Sequence, residues 1–106
     1  MTVSNCQIIA NTAAGGTADS SAQGGDGLGG GLYIGSGTGM LAAVLVSGNQ
    51  AQGGADNQGN TTGKGLGGGV YVDPRATAYA NMETLIAGNH ASKDKDDIWG
   101  TVTIVP

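Results

Sequence analysis

The chain has 106 residues, of which 22 are glycine and four are aromatic, and its formal net charge at pH 7 is −4. This length suits a single domain with a small core, and we assign residues 1–106 to one domain. The acidic balance lacks the basic patch that nucleic acid or an anionic membrane surface requires, so we expect neither partner. The longest apolar run, residues 40–46, is too short for a membrane span, and the single cysteine, Cys6, excludes an intrachain disulfide.

The first residues lead directly into strand-like sequence, and the chain carries no signal peptide, because a basic segment followed by an apolar one is missing. Two explanations stay open, namely a mature chain or the tail of a longer repeat protein. We favour the second. The chain is then expected to be a C-terminal fragment of a longer precursor that is secreted or displayed at the cell surface.

Similar strand-like segments end on an asparagine at residues 3–11, 41–49 and 81–89. Short β-branched runs and frequent glycine favour strands over helices. A helix over residues 78–87 is the only rival, and the alignment with the two other segments favours a strand there too. We expect the asparagines to adopt the left-handed conformation of a turn and to hydrogen-bond from copy to copy. The aligned positions form the columns Ile8/Val46/Ile86 and Asn11/Asn49/Asn89.

An internal repeat sets the architecture. The segment GLGGGLYI at residues 27–34 returns as GLGGGVYV at residues 65–72, and at that offset residues 11–34 and 49–72 share 11 of 24 positions. Repeats of this length predict stacked copies, which we place at approximately residues 3–40, 41–78 and 79–106. A third column follows from the same alignment: Leu32/Val70/Ile98.

Two long loops rich in Gly, Asp, Asn and Ser, residues 12–27 and 50–65, repeat in register. We expect them to leave the same corner and to touch each other, since unsupported loops of this length are uncommon in a compact domain. In the third copy the loop shrinks to the charged residues 90–97, which is typical of a capping repeat. The glycine-rich residues 35–39 are interpreted as a hairpin-like corner.

The runs GGGLYI with VLVSGN, and GGGVYV with LIAGN, resemble the repeats of right-handed parallel β-helix proteins of bacterial surfaces, of the adhesin and autotransporter kind. The resemblance implies an all-β fold, a short right-handed parallel β-helix (solenoid) of about three coils with long Gly-rich loops. It also implies a non-catalytic structural or binding segment of a secreted or cell-surface protein, with carbohydrate or another surface as the candidate ligand.

Aligned aromatic residues form the candidate ligand-binding stripe. If Leu32 and Ile34 point inward, the aromatic side chains point outward and stack from copy to copy. Such a stripe suits a flat sugar ring or a partner chain, although it also serves simply to cover the surface. Its residues are Tyr33, Tyr71 and Trp99.

An enzymatic alternative also stays open, as a small hydrolase or lyase that acts on a carbohydrate or ester substrate. Its candidate catalytic residues are the loop carboxylates and the single histidine: Asp19, Asp26, Asp56 and His90. Asp73 and Arg75 form a lone acidic–basic pair that a proline turn explains adequately. We expect no cofactor, with Ca²⁺ as the one candidate ion.

The carboxylates Asp94, Asp96 and Asp97 are the candidate metal ligands, although Lys93 and Lys95 weaken the field that Ca²⁺ requires.

The oligomeric state is a separate expectation. The first copy presents an open strand edge, and the small core has no disulfide to support it. We therefore expect a homo-oligomer, formed end to end through the first copies or along the aromatic stripe.

Overall fold

The computed structural model of the chain describes residues 1–17, 23–56 and 63–105, which contain fifteen short β-strands and no helix. The predicted all-β class is therefore confirmed. Asp19, one of the candidate catalytic residues, lies outside the described residues. Residue 106 lies outside them as well.

The strands fall into successive copies of one pattern. The first copy contains β1 (Thr2–Ser4), β2 (Gln7–Ile9), β3 (Thr12–Ala14), β4 (Gly27–Leu28) and β5 (Leu32–Ile34). The second contains β6 (Gly37–Ala42), β7 (Leu45–Ser47), β8 (Gln50–Gln52), β9 (Gly65–Leu66) and β10 (Val70–Val72). The third contains β11 (Ala76–Asn81), β12 (Leu85–Ile86), β13 (His90–Ala91) and β14 (Ile98–Trp99), and β15 (Val102–Val105) follows it.

Every strand pair is parallel and joins neighbouring copies. The largest sheet has the order β1-β6-β11-β15, and the smaller sheets are β2-β7-β12, β3-β8-β13, β5-β10-β14 and β4-β9. Val46 pairs with Ile8 on one side and with Ile86 on the other. Val70 likewise pairs with Leu32 and Ile98. Both predicted apolar columns are confirmed.

Residues with positive φ separate the short strands, because a left-handed residue turns the chain sharply. The turn before the asparagine column differs from the prediction. The left-handed residue is the one before each asparagine, namely Ala10 (φ 58°), Gly48 (φ 68°) and Gly88 (φ 72°). The asparagine itself is therefore free to turn its amide toward the neighbouring copy, and the predicted left-handed asparagine is wrong.

The glycine-rich residues 35–39 are also not the hairpin-like corner that their composition suggested. Gly37, Thr38 and Gly39 belong to β6 and pair in register with the first residues of β11. The bend is confined to the start of the strand, where Gly37 has a φ of 76°. Glycine at this position sets the turn, and the rest of the run joins the sheet because its backbone groups find partners there.

The core is centred on the middle copy, which has a neighbour on each side, and Ile34, Ala78 and Ala80 extend it into the outer copies. Leu41, Val46 and Val70 are 0% exposed, whereas Ile8 and Ile86 in the outer copies are only partly buried. A fully buried aliphatic side chain stabilises the fold by roughly 1.5–3 kcal/mol. The stability of the chain is therefore concentrated in its central third.

Candidate functional site

Three asparagine side chains form a continuous ladder, here called the asparagine ladder (Asn11, Asn49 and Asn89). The Nδ2 of Asn11 donates to Oδ1 of Asn49 at 3.0 Å, and the Nδ2 of Asn49 donates to Oδ1 of Asn89 at 2.9 Å. The backbone N–H of each donor residue bonds the same oxygen. Asn49 is 0% and Asn89 is 7% exposed. The predicted hydrogen bonding along this column is confirmed.

The ladder ends on Asp97. Its Oδ1 accepts hydrogen bonds from the backbone N–H and from the Nδ2 of Asn89, both at 3.0 Å. Each bond from one ladder side chain to the next is donated toward the C-terminal end of the ladder, and an ionised carboxylate accepts hydrogen bonds without donating any. An acidic residue therefore suits this end of the ladder.

The other two candidate metal ligands also accept backbone hydrogen bonds. Oδ1 of Asp96 accepts from the N–H of Ala91 at 3.0 Å, and Oδ1 of Asp94 accepts from the N–H of Lys95 at 2.9 Å. Across residues 1–17, 23–56 and 63–105, no three His, Cys, Asp or Glu side chains lie together in a group that could hold a metal ion. The acidic segment thus orders the chain that covers the end of the third copy.

The stems of the two long loops pack on one another, as predicted for this loop pair. Four glycines, here called the glycine stem stack, join outgoing and returning strands of both loops. The N–H of Gly25 donates to Gly16 (2.9 Å), the N–H of Gly54 to Gly25 (2.8 Å), and the N–H of Gly63 to Gly54 (3.0 Å). A Cβ at Gly54 would overlap the backbone oxygen of Gly16. Only glycine permits this approach.

The candidate catalytic residues are spread over this region. Oδ1 of Asp26 accepts from the N–H of Lys64 at 2.8 Å and so ties the two loop stems together. Asp56 is half-buried beside the second stem. His90 lies exposed on β13, with its Nδ1 3.6 Å from Oδ1 of Asp96. Within the described part of the chain, no hydrogen bond or ion pair joins His90 to Asp26.

Tyr33, Tyr71 and Trp99 stack face to face, as the sequence predicted, and are here called the aromatic stack. The ring centroids of Tyr33 and Tyr71 are 5.1 Å apart, and those of Tyr71 and Trp99 are 4.6 Å apart, with interplanar angles of 2° and 7°. Tyr71 is only 9% exposed because a ring covers each of its faces, whereas Tyr33 is 47% exposed. A ligand can therefore reach a ring face only at the two ends of the stack.

A cleft of about 280 Å³ opens beside the Trp99 end. It lies between the turn that follows β10 and the turn that follows β14. Trp99, Gly100 and Thr101 line one wall, and Val72, Asp73 and Pro74 line the other. We refer to it as the Trp99 cleft. It combines an aromatic ring, a carboxylate and a hydroxyl group.

Asp73 is held in place by the turn that contains it. Its Oδ1 accepts from the backbone N–H of Arg75 at 2.9 Å and from Nε of Arg75 at 3.1 Å, and its backbone oxygen accepts from Ala76. The side chain of Asp73 is 16% exposed, whereas that of Arg75 is 76% exposed. Within the described residues, Oδ2 of Asp73 accepts no hydrogen bond.

Hydrogen bonds, neighbouring charges and burial shift the pKa values of Asp73, which lines the cleft, and of Arg75 and Tyr71. The hydrogen bond from the Arg75 backbone, followed by that from its guanidinium, holds the pKa of Asp73 below its usual value. The same pair raises the pKa of Arg75. Burial between two rings, with smaller effects from Asp73, Tyr33 and Asp26, raises the pKa of Tyr71. Asp73 is therefore ionised over the whole neutral range.

The sequence identified Asp73 and Arg75 only as a turn, and it assigned no role to Thr101. The sequence does not show that the turn after β10 lies beside Trp99. The two come together only because β10 pairs with β14. The signal that could have placed them together is the alignment of Tyr71 with Trp99, which brings the residues after each aromatic to the same corner.

A second cleft, of about 460 Å³, lies at a corner to which all three copies contribute. Cys6, Gln7, Leu45 and Glu83 are among its lining residues. The thiol of Cys6 is exposed and donates to the backbone oxygen of Ser4 at 3.0 Å. No aromatic side chain lines this cleft, and its walls are therefore less suited to a ring-shaped ligand than those of the Trp99 cleft.

No protein-family model, curated protein or solved structure matches the chain.

Among the described residues, no helix has the length and apolar character needed to cross a membrane.

Proposed function

We propose that the chain is a non-catalytic structural and binding segment of a secreted or cell-surface protein, built as a short right-handed parallel β-helix. The observation that supports the proposal is the asparagine ladder. Equivalent side chains of three copies bond in one line, and parallel strands on either side of them keep the same register. Stacked identical positions of this kind are what a solenoid of parallel strands uses to fill its interior.

The binding part of the proposal concerns carbohydrate. The aromatic stack contributes rigid, apolar ring surface next to polar groups, a combination that suits the alternating C–H and hydroxyl faces of a sugar. Because both faces of Tyr71 are covered, contact with a sugar ring falls to Tyr33 or Trp99 at the ends. The scaffold fixes these rings at positions set by the strand spacing.

The hydrolase or lyase alternative finds less support. Asp26 is engaged by the backbone of Lys64 and His90 by the carboxylate of Asp96, and both side chains are exposed. General acid–base catalysis needs groups that converge on one reacting atom. Asp26 and His90 instead have separate partners.

Two measurements test the proposal. An experimental structure should show a right-handed coil with the three columns stacked at about 4.8 Å between strands. A panel of polysaccharide and ester substrates should show no turnover, with or without a chelator. Turnover that Asp26→Ala or a chelator abolishes would establish the enzymatic alternative, and columns that do not stack would contradict the scaffold.

We also propose that the isolated 106-residue chain forms a homo-oligomer, either end to end through the first copies or along the aromatic stack. The strands β1, β2 and β3 each have a partner on one side only, and within the described residues Oδ1 of Asn11 accepts no hydrogen bond. Open edges of this kind recruit another chain when nothing covers them. Light scattering at micromolar concentration tests this, and a strictly monomeric species would contradict it.

A further inference from the structure

We infer that the Trp99 cleft binds one neutral pyranose ring through Trp99, Asp73 and Thr101. This inference rests on the proposed function, which it sharpens by assigning the site and the class of ligand. The aromatic stack reaches solvent at two ends, and the Trp99 end adjoins a cleft whose lining includes Asp73 and Thr101.

Trp99 provides the platform. One face of its indole packs on Tyr71, with the ring centroids 4.6 Å apart, and Trp99 is half-buried. A fixed aromatic ring contributes apolar contact area at low entropic cost, and a pyranose offers a face of C–H groups of matching size. A positive φ at Gly100 (99°) turns the chain directly after Trp99 and leaves room for the cleft.

Asp73 provides the acceptor. The two bonds from Arg75 use Oδ1 and fix the plane of the carboxylate, which leaves Oδ2 available to a ligand. The side chain is 16% exposed, so a hydrogen bond from a sugar hydroxyl forms in a partly desolvated place. Charge-assisted bonds of this kind are shorter and stronger than neutral ones.

The charge and size of the cleft restrict the ligand. An ionised carboxylate repels anionic sugars such as uronates, and the nearby Arg75 is already paired with it. The net charge of −4 adds to this repulsion. A volume of about 280 Å³ lies just below the range of pockets for drug-sized ligands. One sugar ring therefore fits, and a longer chain would have to extend into solvent.

The inference is tested by titrating the ¹⁵N-labelled chain with methyl glycosides of glucose, galactose, mannose and N-acetylglucosamine, and with methyl glucuronide as the anionic comparison. We expect shifts of the Trp99 indole N–H and of the backbone amides of Val72, Asp73, Arg75, Ala76, Gly100 and Thr101 for at least one neutral glycoside. Shifts confined to the loop stems or to Tyr33 would overturn the cleft, while leaving carbohydrate binding itself in place.

Matched variants then test the roles of individual residues. Asp73→Asn keeps an oxygen for the bonds from Arg75 and removes the charge, and it should weaken binding by roughly ten-fold. Thr101→Ala should weaken it less, and Leu85→Ala, at an exposed residue outside the cleft, should leave it unchanged. Trp99→Phe should retain the stacking and reduce affinity.

An unchanged affinity in Asp73→Asn, or tighter binding of the glucuronide, would overturn the inference. So would the absence of binding by every glycoside at tens of millimolar. None of these outcomes bears on the proposed β-helix scaffold. The scaffold is tested by the stacking of the strands in an experimental structure, and its non-catalytic role is tested by the turnover assays. The two proposals can therefore fail independently.

Discussion

The side-chain amide of Asn49 donates to Oδ1 of Asn89 at 2.9 Å and to the backbone oxygen of Ile8 at 2.8 Å. Its own Oδ1 accepts from the backbone N–H and from the Nδ2 of Asn11. Both donors and both lone pairs of the carboxamide are thus used in a site that is 0% exposed. Asparagine is required here because no other side chain of this length offers two donors and two acceptors.

This leads to the first prediction. Asn49→Asp removes both donors and places a carboxylate against Oδ1 of Asn89, so we expect it to lower the free energy of unfolding by about 3 kcal/mol or more. Urea denaturation at pH 7 provides the measurement. Asn11→Asp, at the exposed end of the ladder, is the control and should cost on the order of 1 kcal/mol. Equal losses would contradict the expectation that the cost follows the burial of the ladder residue.

A second prediction concerns the end of the ladder. Asp97→Ala leaves the backbone N–H of Asn89 without its acceptor and leaves Nδ2 with only the backbone oxygens of Val46 and Ala87, so it should lower the free energy of unfolding by about 1–3 kcal/mol. Hydrogen exchange at the Asn89 amide should accelerate along with it. Asp94→Ala removes the same charge but only an exposed contact with the Lys95 backbone, and it should cost less than about 0.5 kcal/mol. Comparable losses for the two variants would show that charge rather than the ladder matters.

The glycine stem stack yields a third prediction. In Gly54→Ala the new methyl group would overlap backbone oxygen of Gly16, so the stems must separate. We expect faster hydrogen exchange at Gly25 and Gly63 and a loss of roughly 1–3 kcal/mol. Gly16→Ala is the matched control, because a Cβ there meets nothing within 4 Å. It should be neutral or stabilising by up to about 1 kcal/mol, and a loss equal to that of Gly54→Ala would refute the packing.

The fourth prediction tests where the core lies. Leu41 is 0% exposed and Leu85 is 58% exposed, although both stand in corresponding strand-like segments. Leu41→Ala should cost about 2–5 kcal/mol, because it leaves a cavity in the central copy. Leu85→Ala should change the free energy of unfolding by less than about 0.5 kcal/mol. Thermal unfolding of both variants distinguishes a central core from one spread evenly over the copies.

The fifth prediction is a pH dependence. The folded-state pKa of Asp73 lies below its value in the unfolded chain, chiefly through the Arg75 backbone N–H. The resulting stabilisation is present above the unfolded pKa, near about 3.9, and is lost as the pH falls through the folded pKa. A ¹³C NMR titration of the Asp73 carboxyl should therefore show a midpoint below the usual range for aspartate.

Arg75→Ala sharpens that test. The variant keeps the backbone N–H that provides the largest effect, so the pKa of Asp73 should rise only part of the way to its ordinary value. Lys93→Ala changes the net charge equally without contacting Asp73, and it should leave the midpoint in place. A complete return to the ordinary value in Arg75→Ala would show that the guanidinium, rather than the backbone, dominates.

Much of the architecture could be predicted from the sequence because it repeats. Ile8, Val46 and Ile86 fall in one column by simple alignment, and the paired strands keep that alignment. The stacking of Tyr33 on Tyr71 follows in the same way. A repeat supplies its own long-range contacts, since a position in one copy predicts the partner in the next.

Features outside the repeat could not be predicted. The role of Asp97 depends on its arriving where a fourth asparagine would stand, in a segment shortened relative to the other copies. The Trp99 cleft depends on two turns of unlike sequence that meet at one corner. The left-handed residues before each asparagine were missed because Ala10 has a side chain that normally disfavours this conformation.

The side-chain-to-side-chain bonds of the asparagine ladder run in one direction, since each Nδ2 donates to the side-chain oxygen that follows it in the ladder. A tandem duplication of residues 35–72 would insert one more rung that accepts from the asparagine before it and donates to the one after it. Neither terminal residue of the ladder would need to change. Inverting the order of donors and acceptors in a single copy would instead set two oxygens against each other. Growth by gene duplication is thus the route by which such a chain can lengthen, in steps of one whole copy.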